Sequence, residues 1–206
     1  VRTDSTLQQR KFGVVKEAFF MEMFSQSSQR SLAWILLVPT LFLISALAWP
    51  QRQNDENPEV SRLLEDARAK AAVLSRDADE MEALTRSAVS WQTHASMLDT
   101  MKEDVNELAR DVEKLTDARD KASPWQQQAI DRMLPMMREL AANTTAAINH
   151  LKEQPSRPTS PSYAEYLRQN AETSRELSDM ISSFVQYGQT RAKLQRLEQR
   201  LEVASK

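Results

Sequence analysis

Apolar and small residues recur every three or four positions along most of this chain, and the phase of that recurrence resets three times. Alternating threes and fours is the seam of helices that pack on one another. A first helix is expected from Pro58, a residue suited to a first turn. Its inner face would carry Val60, Leu64, Ala67, Ala71, Leu74, Ala78 and Met81. The seam slips at Leu84 and Ala88, where the residues are poor helix formers. A turn is therefore expected at residues 87–91, with Ser90 as the N-cap of a second helix. One continuous rod over residues 58–122 is the alternative.

The second helix would bury Trp91, Ala95, Leu98, Met101, Val105, Leu108, Val112 and Leu115 and stop near Ala122. Ser123, Pro124 and Gln126 then make a strong start: N-cap, first helical position and capping-box partner. The third helix would turn Ile130, Met133, Met137, Leu140, Thr144, Ile148 and Leu151 inward, with a kink expected at Pro135. Pro155, Pro158 and Pro161 form a stiff connection, and Ser162 with Glu165 reads as a second capping box. The fourth helix follows through Leu167, Ala171, Ser174, Leu177, Ile181, Phe184 and Gly188, and runs on to Leu194, Leu197 and Leu201.

Helices of about 30 residues reach about 45 Å, and the fourth would overhang by about 15 Å. Joined by short connections, they bury their stripes only by reversing direction at each turn. The expected fold over residues 58–203 is all-α: an antiparallel up-down-up-down four-helix bundle with coiled-coil-like packing. Strands are not expected, because Gly188 is the only glycine beyond the start of the chain and no Asn-Gly turn occurs.

One stretch breaks the amphipathic pattern. Residues 32–49 are apolar and uncharged, with Arg30 before and Arg52 after. A bilayer span needs about 20 apolar residues, which this run barely satisfies. A signal peptide has a shorter apolar centre followed by a small-x-small site, and Ala46-Leu47-Ala48 supplies one. The chain opens on Val1, and Met21 and Met23 are alternative starts. A start at Met21 leaves a leader of signal-peptide proportions, whereas residues 1–31 in full suit a cytoplasmic leader before an anchor. Residues 50–57 are a linker under either reading. Arg2, Arg10, Lys11, Lys16 and Arg30 outweigh the acids ahead of the run, and Asp55, Glu56 and Glu59 follow it. Lys and Arg favour the cytoplasmic side, so the helical part is expected outside the cytoplasmic membrane. It would be soluble after cleavage near Ala48 or tethered by residues 32–49.

The net charge of −2 speaks against general nucleic-acid binding, which wants a basic face. Cysteine is absent, which excludes disulfides and a lipid-modified cysteine. The tail is locally basic through Arg191, Lys193, Arg196, Arg200 and Lys206. Cations at a helix C-terminus meet the negative end of its dipole; attraction to an anionic surface is the other reading.

Catalytic and cofactor motifs do not assemble. Di-iron bundles use Glu-x-x-His, but Trp91 and Ala147 stand three residues before His94 and His150. No haem-attachment, zinc-protease or phosphate-loop motif occurs, so no cofactor is expected. The two histidines lie about equally far from the turn at residue 123, which would bring them to one end of the bundle. They are candidate metal or haem ligands, set against two unrelated polar histidines. Met133, Met136 and Met137 surround Pro135 and suit a copper(I) site, an adaptable contact surface, or gap-filling at a kink. Trp91, Tyr163 and Tyr166 collect near the proline connection, as a docking surface or as a plug. Leu194, Leu197 and Leu201 are able to pair with a second copy of the chain or to pack back on the first helix.

Residues 122–131 (ASPWQQQAID), 141–151 (AANTTAAINHL) and 184–188 (FVQYG) resemble a family of exported bacterial helical proteins across roughly residues 87–203. That resemblance implies export and a single helical domain, and brings no catalytic residue or known activity. The expected function is non-enzymatic: interaction or scaffolding in the cell envelope with an envelope protein as partner. A periplasmic chaperone-like or sensor-like bundle is the alternative.

Overall fold

The computed structural model describes residues 56–87, 89–155 and 160–204. The apolar run at residues 32–49 lies outside them, as does the cleavage site near Ala48. Among the described residues, no helix is long and apolar enough to cross a membrane.

Four long helices form, with no strand among the described residues: α1 (Pro58–Leu84), α2 (Trp91–Asp117), α3 (Pro124–Glu153) and α4 (Pro161–Ala204). A single 3-10 turn, Arg119–Lys121, links α2 to α3. Helices α1 and α3 each pack on both α2 and α4. The first break falls where the weak helix formers put it. Thr85 ends α1, and Ser90 caps α2 by accepting the Thr93 amide at 3.3 Å. The continuous rod is thereby excluded.

The start of α4 differs from expectation. Ser160, not Ser162, lies next to the helix start and accepts the Tyr163 amide at 3.4 Å. Pro161 then takes the first helical position, where its missing N–H is harmless. Glu165 is free to bind Arg168 and Gln169 instead.

The core follows the expected stripes, with three local shifts. On α2, His94 is buried while Trp91 remains 43% exposed. On α3, Ala147 is buried and Ile148 only partly so. On α4, Val185 is buried and Phe184 only partly so.

Polar ties join the helices. Lys70 Nζ on α1 lies 2.6 Å from Asp111 Oδ2 on α2, and Lys114 Nζ lies 3.1 Å from Oδ1. Burial pushes the Asp111 carboxyl up, but the hydrogen bonds from the two lysines outweigh it and hold the group below its usual range. Arg175 on α4 reaches Asp79 on α1 at 2.7 Å.

Gly188 lets α4 lie close against Trp125. A β-carbon there would lie 2.7 Å from Cη2 and 2.9 Å from Cζ2 of Trp125. The Trp125 ring is held edge-on by Tyr187, with centroids 5.6 Å apart. On helix propensity alone, Gly188→Ala would gain about 1 kcal/mol. Overpacking against a braced ring costs about 1–3 kcal/mol, so the expected net effect is a loss of about 1 kcal/mol. Thermal unfolding checks this, and a raised Tm would mean that the ring swings aside.

Candidate functional site

Three polar clusters of the fold bear on a candidate site, and the first is structural. Gln126, fully buried, closes the capping box at the start of α3. Its Oε1 accepts the amides of Ser123 at 2.9 Å and Asn57 at 3.1 Å. Its Nε2 donates to the Asn57 carbonyl and the Ser61 hydroxyl, both at 2.9 Å. Asn57 in turn caps α1, accepting from the amides of Glu59 and Val60. One side chain therefore fastens the first turns of two helices 69 residues apart in sequence.

The second place contains both histidines. Tyr163, at the start of α4, is fully buried. Its hydroxyl lies 3.3 Å from His94 Nδ1, and the His150 ring stacks on it at 5.7 Å. His150 Nε2 bonds the Ser160 hydroxyl at 2.7 Å, and Tyr166 meets the His150 ring edge-on. Sequence spacing brings the two histidines to one neighbourhood, as expected, but each spends a ring nitrogen on a protein partner. Among the described residues, no group of three His, Cys, Asp or Glu side chains is arranged to hold a metal ion. Burial lowers the His94 pKa and raises that of Tyr163, so both are neutral at pH 7. Tyr163 thus plugs the interior and is not part of a docking surface. Trp91 remains exposed, and Tyr166 is half-buried.

The methionines separate in the same way. Met133 is 0% and Met137 4% exposed; both are core side chains, not an adaptable contact surface. Only Met136 is half-buried. The cause is phase: Met133 and Met137 fall on the seam with Ile130 and Leu140, and Met136 lies beside it.

The third place is a carboxyl pair that the spacing did not reveal. Asp104 on α2 comes within hydrogen-bonding reach of Asp77 on α1, and its pKa is pushed up to about 6, first by burial and then by the charge of Asp77, with Glu107 and Glu103 adding to it. Asp77 is itself bound by Arg76 at 2.9 Å. Asp104 Oδ2 is buried and lacks a partner unless it carries a proton to share with Asp77. The folded protein holds that proton more tightly than the unfolded chain. The pair therefore contributes stability below the ordinary carboxylate range, and loses it as pH rises through about 6. Asp104→Asn, which donates without a charge, is expected to raise Tm by about 2–4 °C at pH 7.5, the scale of 1 kcal/mol in a domain of this size. Little change is expected at pH 4.5. Equal shifts at both pH values would remove protonation as the cause.

The end of α4 has a different character. Leu194, Leu197 and Leu201 are 56%, 45% and 71% exposed, and they do not pack back on α1. No protein-family model, curated protein or solved structure matches the chain, so its function is argued from its own residues.

Proposed function

We propose that this is a non-enzymatic protein of the cell envelope, an antiparallel up-down-up-down bundle serving as a rigid scaffold with a contact face at the end of α4. The reversing order is supported by which helix ends meet: the starts of α1 and α3 through Gln126, and the starts of α2 and α4 with the end of α3 around Tyr163. Export is supported by the uncharged run at residues 32–49 and the basic residues ahead of it. That run is either a signal peptide cut near Ala48 or a retained membrane anchor.

The observation that carries the functional reading is on α4. Its last turns leave three leucines in water at helical spacing. A contiguous apolar stripe on a rigid extension suits a contact. A phosphatase fused after the last residue should be active only if the helical part is exported, and N-terminal sequencing of the mature chain then separates cleavage from anchoring. Full-length chain recovered from cytosol would contradict the envelope reading. Turnover of a substrate, lost on changing one carboxylate or histidine, would contradict the non-enzymatic one.

The sensor-like alternative has one observation in its favour, the shared proton of Asp77 and Asp104 at the α1–α2 contact. It requires amide exchange across that contact to accelerate between pH 5 and 7, and to stop doing so in Asp104→Asn. A methionine-lined client surface loses its support, because Met133 and Met137 are buried.

A further inference from the structure

Successive residues of an α-helix advance by about 100°. Measured from the buried Gly188, the inward residues Ile181 and Val185 fall within about 60° of it. Leu194, Leu197 and Leu201 fall about 120–180° away, on the opposite face. Upstream, that outward face is polar and exposed, with Glu165, Arg168, Glu172, Asp179, Gln186 and Thr190. Tyr187, one heptad before Leu194, is the exposed aromatic at its edge and is turned against Trp125; the leucines begin at Leu194. The leucines are therefore a new stripe facing away from the bundle, and not a continuation of its core.

We infer that this stripe is the seam of a parallel two-stranded coiled coil with a second copy of the chain. The inference rests on reading the face as the contact surface, but not on export. Spacings of three and four put Leu194 at a, Leu197 at d and Leu201 at a. The flanking g position is then Lys193 and the e position Glu198. Side by side in parallel, Lys193 of each copy meets Glu198 of the other, five residues on. Running antiparallel, g faces g and e faces e, which opposes Lys193 to Arg200 and Glu198 to itself. The charges therefore select the parallel pair. An anionic lipid surface suits the leucines less well, because the stripe is a narrow a/d seam with both charge signs on its flanks, where interfacial helices present a wide apolar face and a basic one. The bundles lie behind the two seams, on opposite sides, and do not obstruct the approach. A seam of three leucines, little more than one heptad, makes a weak pair, with a dissociation constant on the order of micromolar or above, since the buried area falls short of the roughly 1,200 Å² of a standard interface.

The absence of cysteine makes the test clean. Full-length Leu194→Cys and Leu201→Cys, each alone in membranes or mild detergent, should form a disulfide dimer under a mild oxidant. Asp179→Cys on the same face upstream should not. Adding Lys193→Glu should remove most of the dimer, and Lys193→Glu with Glu198→Lys should restore it. Three outcomes would overturn the inference: no dimer beyond that of Asp179→Cys; a dimer only when the Leu194→Cys and Leu201→Cys chains are mixed; or a dimer indifferent to the charge reversals. Absence of a dimer with sedimentation on anionic vesicles would replace the second copy by a lipid surface. A parallel dimer in a protein found in the cytosol would keep this inference while contradicting the envelope reading.

Discussion

Gln126→Ala is expected to lower stability by about 3 kcal/mol, which for a domain of this size is a fall in Tm on the order of 10 °C. The side chain is fully buried and serves five groups: two amides, a carbonyl and the hydroxyls of Ser61 and Ser123. Truncation leaves the Ser123 and Asn57 amides without an acceptor, while the Asn57 carbonyl keeps the Ser61 amide and the Ser61 hydroxyl keeps Glu56; each amide left unpaired costs about 1–3 kcal/mol. Loss of a cap alone would cost about 1 kcal/mol. Chemical denaturation decides between the two values. Gln126→Glu should fall between them: the carboxylate keeps the amides of Ser123 and Asn57 but has nothing to donate to the Asn57 carbonyl. A loss of 1 kcal/mol or less for Gln126→Ala would mean that α1 and α3 are not joined through this residue.

Met133→Ala is expected to cost about 3 kcal/mol, within the range for emptying a buried methionine site. Met136→Ala, at a half-buried position beside the seam, should cost well under half of that. A client-binding surface requires the opposite pattern, with stability unchanged and binding lost at Met133. Paired urea titrations of the two variants make the comparison, and equal small losses would return the methionines to the surface.

Two buried groups give pH dependences of opposite sign. The Asp77–Asp104 pair loses its contribution as pH rises through about 6. His94, whose pKa is lowered by burial, takes up a proton more readily when unfolded; its contribution is complete above the free imidazole value near 6.5 and declines as pH falls below it. The two slopes oppose each other over the same acidic range, so Asp104→Asn should expose the rising histidine slope on its own.

Most of the architecture was legible because it rests on periodicity. The stripe from Val60 to Met81 and the stripe from Leu98 to Leu115 needed only spacing, and Ser90, Ser123 and Pro124 punctuated the helices through their own backbone chemistry. The candidate sites were less legible, because they depend on which helix faces which. Gln126 was readable as a capping-box residue, but its bonds to Asn57 and Ser61 cross from one helix to another. Asp104 and Asp77 are ordinary acids until α1 and α2 are laid together. Tyr163 stands four residues before Leu167, in step with the seam, but a tyrosine at a helix start suits a docking surface as well as a plug. The leucines of the tail continued the three-four rhythm, and only the position of Gly188 against Trp125 tells that they face the other way.

The most direct test is the thermal unfolding of a full-length variant with Leu194→Gln, Leu197→Gln and Leu201→Gln together, at a chain concentration low enough to leave it monomeric. Outward-facing leucines predict a Tm within about 5 °C of the parent, since three surface changes of at most about 0.5 kcal/mol each sum to about 1.5 kcal/mol. A fall of about 10 °C or more, the scale of emptying buried leucine sites, would mean that the stripe belongs to the core and that the protein has no contact face there.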